Sequence, residues 1–104
     1  MIKIFNIKRG DQFSFTVTFT NLQDEITTLE LGVKHEYDDL MLINKSIGRG
    51  ITKVGAARYR IDFTPEETEA LSPDFYHFDM RLTVGSYVYT PLHGYLNIKE
   101  TVFE

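Results

Sequence analysis

Residues Phe13 to Thr20 read "FSFTVTFT". Phe13, Phe15, Val17 and Phe19 alternate with Ser14, Thr16, Thr18 and Thr20. Successive side chains of an extended chain point to opposite faces, so this period of two puts four apolar groups on one side and four hydroxyls on the other. A helix would scatter the same residues around its axis. The segment is a strand with one buried face and one wet face, and its neighbours are read against it.

Upstream, Lys3 to Lys8 is β-branched and aromatic and forms a short first strand. Between the two lies Arg9-Gly10-Asp11, the tripeptide that adhesion receptors read on exposed loops. Its position accounts for it without adhesion: one strand ends, another begins, and glycine supplies the permissive backbone of the turn. Downstream, Thr27 to Tyr37 places Leu29, Leu31 and Val33 on one face, and Leu40 to Ser46 is a near-continuous apolar run that reads as a strand or a buried helical turn. Gly48-Arg49-Gly50 marks a turn. Ile51 to Val54 and Ala57 to Phe63 then form a hairpin around Gly55, with Tyr59, Ile61 and Phe63 facing in.

One segment breaks the period of two. "TPEETEAL", Thr64 to Leu71, has a capping threonine, proline at the first helical position and Glu67 placed to complete a capping box. Ser72-Pro73 stops it, so residues 65–71 make a short helical crossover between strands. Tyr76 to Val84 resumes the alternation, and Gly85-Ser86 is a two-residue type II′ hairpin signal. Tyr87 to Thr90 returns, Pro91 interrupts at an edge or bulge, and Tyr95 to Lys99 closes the sheet before the tail Thr101 to Glu104. Eight or nine short strands at close spacing describe an all-β domain, a β-sandwich or barrel, over residues 1–104.

At 104 residues the chain supports one core without staples. It has no cysteine, which excludes disulfides and thiolate metal sites and fits a reducing compartment. Eleven Lys+Arg against fifteen Asp+Glu give a net charge of -4, the wrong sign for non-specific nucleic-acid binding. No apolar run is long enough for a membrane helix, and MIKIFNIKRG lacks the apolar centre of a signal peptide.

Motifs that carry chemistry are missing. The three histidines, at 35, 77 and 93, have no cysteine or Gly-x-Ser-x-Gly elbow to work with. His35, Glu36, Asp38 and Asp39 crowd together but do not have the spacing of a calcium loop, and they read as an acidic connection. Gly48-Arg49-Gly50 is not a phosphate loop. His77, Asp79 and Arg81 share the polar face of one strand and read as cross-strand pairs or solvated charge. The expectation is a non-enzymatic protein with no metal and no cofactor.

The blocks of the chain, taken in order, resemble a group of small proteins of tailed bacteriophages and prophages. "FNIKRGDQFSFTVTF" is similar to their opening strand, Gly-Asp turn and alternating strand. "LELGVKHEYDDLMLINKS" resembles their second block, "YRIDFTPEETEAL" their strand leading into Pro-Glu-Glu-Thr, "FYHFDMRL" their aromatic strand, and "HGYLNIKETV" their close. Among named proteins, the resemblance is to the N-terminal domain of the phage upper baseplate protein. This chain differs in leading into the aromatic strand with Asp74-Phe75-Tyr76, where a Gly-Thr-Tyr or Gly-Glu-Tyr is frequent. The resemblance implies an immunoglobulin-like β-sandwich, a virion protein of the tail or baseplate, other tail proteins or copies of itself as partners, and no catalytic residues.

The alternative expectation is a β-sandwich that binds host carbohydrate or another surface ligand. Such sites need exposed rings in a groove beside polar groups. Tyr87, Tyr89 and Tyr95 are the candidate interaction surface, with Tyr87 and Tyr89 on one strand face. For assembly, the N-terminal strand and the tail Thr101 to Glu104 are the segments expected to pair with a neighbour.

Overall fold

The computed structural model describes residues 2–20 and 25–103. It contains eight strands and one helix: β1 (Ile2–Lys8), β2 (Phe13–Thr18), β3 (Ile26–Lys34), β4 (Ile43–Ile47), β5 (Gly50–Gly55), β6 (Arg58–Phe63), α1 (Pro65–Glu69), β7 (Asp74–Val84) and β8 (Tyr87–Lys99). The hydrogen-bonded order is β1-β8-β7-β3-β4-β5-β6-β2. The two end strands of that order meet face to face. Phe5 of β1 lies 5.1 Å from the Phe13 ring and 4.6 Å from the Phe15 ring of β2. The sheet therefore folds over on itself into a sandwich, with Leu31, Val33, Ile51, Ile61, Phe63, Phe78, Met80 and Leu96 among the side chains sealed between its layers.

Alternation in β2 is as its residues dictate, but its apolar side chains are only half-buried, because β2 is an edge strand with a neighbour on one side. The layers exchange at the Gly48-Arg49 turn. Gly48 and Gly50 take φ of +88° and +93°, which L side chains resist, and β4 and β5 share only two paired positions there. The helix is capped as expected. Glu67 N donates to Thr64 Oγ1 at 3.2 Å, and the Glu67 carboxylate accepts from Thr64 N at 2.9 Å. It ends at Glu69, two residues short of the expected limit, and carries the chain from β6 to β7.

Four local expectations change. The run Leu40 to Ser46 is not all strand: β4 starts at Ile43, and Leu40 is 88% exposed. Its partner β3 ends at Lys34, not Tyr37, because residues 36–39 close a turn in which Asp39 N donates to Glu36 O and Glu36 N to Asp39 Oδ2. The hairpin between β5 and β6 turns on Ala56-Ala57 rather than on Gly55, with Ala57 at φ +53°. Pro91 does not divide two strands. β8 runs unbroken past it through a bulge, where Met80 pairs with Leu92 and Leu82 with Tyr89, so that one extra residue of β8 is accommodated at Thr90-Pro91. A bulge position needs no ladder N–H, which is what proline lacks.

Among the described residues, two polar side chains are buried. Thr68 of α1 accepts from Gly10 N at 3.1 Å and donates to Asp11 O at 2.8 Å, which fastens the β1–β2 turn to the helix. Lys45 of β4, 6% exposed, meets both Glu67 carboxylate oxygens at 2.5 and 2.6 Å and sits 5.3 Å from the Phe63 ring centroid. Burial alone would push the Glu67 carboxyl up; the Lys45 ammonium and the Thr64 N–H outweigh it and hold the group below the usual range.

Candidate interaction site

The bulge decides where the candidate tyrosines go. Antiparallel partners point to the same face, so Tyr87 and Tyr89, opposite Val84 and Leu82, lie on the core side of β8, beyond the covered part of the sandwich. Their rings stack at 6.3 Å with 14° between planes and are 64% and 48% exposed. Tyr95 stands opposite His77, past the extra residue, and faces outward. Sequence parity places all three together; the bulge puts Tyr95 on the other side. Tyr87 and Tyr89 share a surface, and Tyr95 does not belong to it.

Tyr95 instead joins an aromatic row on the outer face of the β1-β8-β7-β3 layer. Its ring lies 5.0 Å from His77 and meets Phe75 edge-on at 6.2 Å. Tyr37, from the β3–β4 loop, stacks on the far side of the row, 4.3 Å from His77. The parallel register of β1 sets Ile4 beside Tyr95 and Ile2 beside His93. Ile2 and Ile4 are 64% and 52% exposed and lie along the open edge of β1, which has no strand on its outer side among the described residues.

Several polar residues of this face are paired. Arg81 donates to Glu30 across the β7–β3 ladder at 2.8 Å. The Tyr37 hydroxyl donates to Asp79 at 3.5 Å, and partial burial together with the Asp79 charge raises the phenol above its usual range. The acidic connection is latched to β7 at two points. His35 Nε2 lies 2.8 Å from Asp74, and His77 Nε2 lies 3.9 Å from Glu36. The Asp74 hydrogen bond raises His35, while the Phe75 N–H and His35 lower Asp74. The side chains of this cluster are thus engaged separately, and no three metal-ligating groups converge among the described residues.

A trough crosses the strands on the same face. Asp79, Gly32 and Asn44 occupy one row over β7, β3 and β4. Longer side chains flank it, with Tyr37 and Met41 on one side and Arg81 and Glu30 on the other, and this open trough has a volume of about 420 Å³. The charge-bearing strand residues are legible in the sequence. Tyr37 and Met41 are not, because they lie in a loop whose direction no periodicity fixes.

Arg9-Gly10-Asp11 is a clamped turn. Asp11 N donates to Lys8 O at 3.0 Å, Gly10 takes φ +88°, and Arg9 Nε donates to Glu69 O at 2.7 Å. The tripeptide is held against α1 by both its arginine side chain and its backbone, as the turn reading requires. Of the expected tail, Val102 and Phe103 are exposed and Glu104 lies outside the described residues.

No protein-family model matches the chain, and no curated protein matches its sequence. Solved structures do match its shape. One is a strand-swapped dimer of the immunoglobulin-like domain of mouse leukocyte-associated immunoglobulin-like receptor 1, at 12% identity and a TM-score of 0.57, covering 91% of this chain and 86% of that one. Another is the IG1–IG1 heterodimer of ZIG-8 and RIG-5, at 14% identity and a TM-score of 0.52, covering 94% and 82%. At such identities the likeness is one of fold: this chain is an immunoglobulin-like β-sandwich of eight strands with one short helical crossover.

Proposed function

We propose that the chain is a non-enzymatic structural protein of a tailed bacteriophage or prophage particle, a tail or baseplate component that acts through protein–protein contacts. The observation that carries the contact mechanism is the open edge of β1, where unpaired backbone groups run beside exposed Ile2 and Ile4, with Tyr95 and Phe75 next to them on the same face. A neighbouring tail protein, or a second copy, would add a strand at this edge and cover the apolar row. The particle assignment rests on the ordered resemblance of the five sequence blocks. Protein contact as the mode of action is supported by the fold, since the two similar structures described above are dimers, one of them strand-swapped. The working location is then the virion, after assembly in the bacterial cytoplasm.

Mass spectrometry of particles purified from an induced culture tests the assignment. The expected result is this chain at a fixed ratio to tail proteins. Particles that form without it overturn the virion reading. Replacing Ile4 by Lys should leave the domain folded and remove it from the particles; undiminished incorporation would rule out the β1 edge as the contact.

A further inference from the structure

The trough over Gly32 lies apart from the β1 edge, and its chemistry is of a different kind. Its size falls within the range of small-ligand sites, roughly 300–1,000 Å³. Its floor is low for a reason: Gly32 has no side chain, and a Cβ there would come within 3.0 Å of Met41 Cε. The charges at its rim cancel. Arg81 is paired with Glu30, Lys34 donates to the backbone carbonyl of Tyr37 at 3.2 Å, and Asp79 is the remaining carboxylate. Two positive and two negative groups leave no net charge to select an ion.

What the trough does offer is an aromatic plane beside unused hydrogen-bonding groups. Tyr37 has one ring face on His77 and is 56% exposed, so the opposite face is open. That plane is held in place from two sides, by the His77 stack and by the hydroxyl contact to Asp79. The Asp79 carboxylate has only that 3.5 Å contact, and the Asn44 amide makes no hydrogen bond among the described residues. A ring whose C–H face stacks on tyrosine while its hydroxyls reach a carboxylate and an amide satisfies both features at once. An apolar side chain would leave Asp79 and Asn44 unsatisfied, and a phosphate would face the Asp79 and Glu30 carboxylates where Arg81 is already paired with Glu30 and Lys34 is turned to the Tyr37 carbonyl.

We infer that this trough is a binding site for a neutral saccharide, with Tyr37 as the stacking platform and Asp79 and Asn44 as hydroxyl-binding groups. The site does not depend on the particle assignment, and it is separate from Tyr87 and Tyr89. Affinity for one sugar unit is expected to be weak, because a shallow site desolvates few groups.

The test is an amide-resolved NMR titration of the intact chain with methyl β-D-glucoside, methyl β-D-galactoside and N-acetyl-D-glucosamine, with inorganic phosphate as a further probe. The expected result is a saturating millimolar response to at least one sugar, confined to residues around Gly32, Asn44 and Asp79. Asp79→Asn and Tyr37→Ala should each weaken that response about tenfold or more, a loss of about 1.4 kcal/mol, with the rest of the spectrum unchanged, while Tyr87→Ala should not alter it. Asp79→Asn preserves shape, so its loss of binding with an unchanged unfolding midpoint would isolate the hydrogen-bonding role. Absence of response to all three sugars, a response equally strong with phosphate, or sugar shifts insensitive to Asp79→Asn would overturn the proposal. Asp79→Asn should also leave incorporation into particles intact, which keeps this outcome distinct from that of the β1-edge variant.

Discussion

Glu67→Gln should destabilise the domain more than Lys45→Met, even though both remove the same ion pair. The Lys45 ammonium is the enclosed partner: its side chain is 7% exposed, against 30% for Glu67. Taking the charge from Glu67 leaves an ammonium between the layers with a neutral amide oxygen in place of its carboxylate, beside the Phe63 ring and within reach of the Asp62 charge. Breaking a buried pair in this way costs about 3–5 kcal/mol, and the partial opening at Glu67 favours the lower end, about 3 kcal/mol. Lys45→Met does the opposite. It fills the same space with an apolar side chain and leaves a carboxylate that still accepts from Thr64 N and can reach water, for a cost of about 1 kcal/mol. The double variant should resemble Lys45→Met, which implies a coupling of about 3 kcal/mol. With a urea slope of about 1.5 kcal/mol per molar, Glu67→Gln should lower the midpoint by about 2 M. Because the Glu67 pKa is depressed in the folded state, its contribution is complete above the ordinary glutamate value, about 4.3, and fades as pH falls through the folded value. The gap between wild type and Glu67→Gln should therefore close in acid. If Lys45→Met proves the more harmful change, or the double variant is no better than Glu67→Gln, the enclosed-ammonium reasoning fails.

Thr68→Val keeps the side-chain shape but leaves Gly10 N–H without its acceptor and Asp11 C=O without its donor, so urea unfolding should show a loss of about 1–3 kcal/mol that Thr68→Ser largely avoids. Gly94→Ala should cost about 1–3 kcal/mol and speed amide exchange along β1, because a Cβ at Gly94 would fall on the backbone carbonyl of Lys3; unchanged exchange in β1 would contradict that close approach. For His35, the raised folded pKa means that its contribution is complete below about 6.5 and is lost as pH rises through the folded value, whereas the depressed Asp74 contributes fully above about 3.9 and loses its effect in acid. An NMR titration should find His35 protonating at higher pH than an unperturbed imidazole in the wild type and returning to the ordinary range in Asp74→Asn; the same titration point in both proteins would refute the latch.

The alternating strands were legible because each buries one face, and burial imposes the period of two. Phe13 to Thr18 and Tyr76 to Val84 show it directly, as does the capping chemistry of Thr64 and Glu67. What could not be read was set by partners distant in sequence. Nothing local to Leu40-Met41-Leu42 says that β3 will end at Lys34 and leave them exposed. Lys45 reads as a surface lysine until Glu67, twenty-two residues on, is folded against it. The bulge at Thr90-Pro91 was signalled by the proline, but its consequence was not, since a single added residue reverses the side on which Tyr95 emerges. The interaction surface shows the same limit: its strand residues follow from parity, whereas Tyr37 and Met41 arrive by a loop.

The parallel pairing of β1 with β8 has a mechanical meaning. Seven residues of the first strand are matched, from Ile2↔His93 to Lys8↔Lys99. Both strands point the same way, so a pull on the chain before Ile2 and after Lys99 acts along them in opposite directions. The load falls on the whole ladder together, as in a lap joint, and not on one pair after another, as in a zipper. Traction applied at those two points would have to shear all seven matched positions before the layers could part. A domain tied in this way resists traction between those two points by shear and not by peeling.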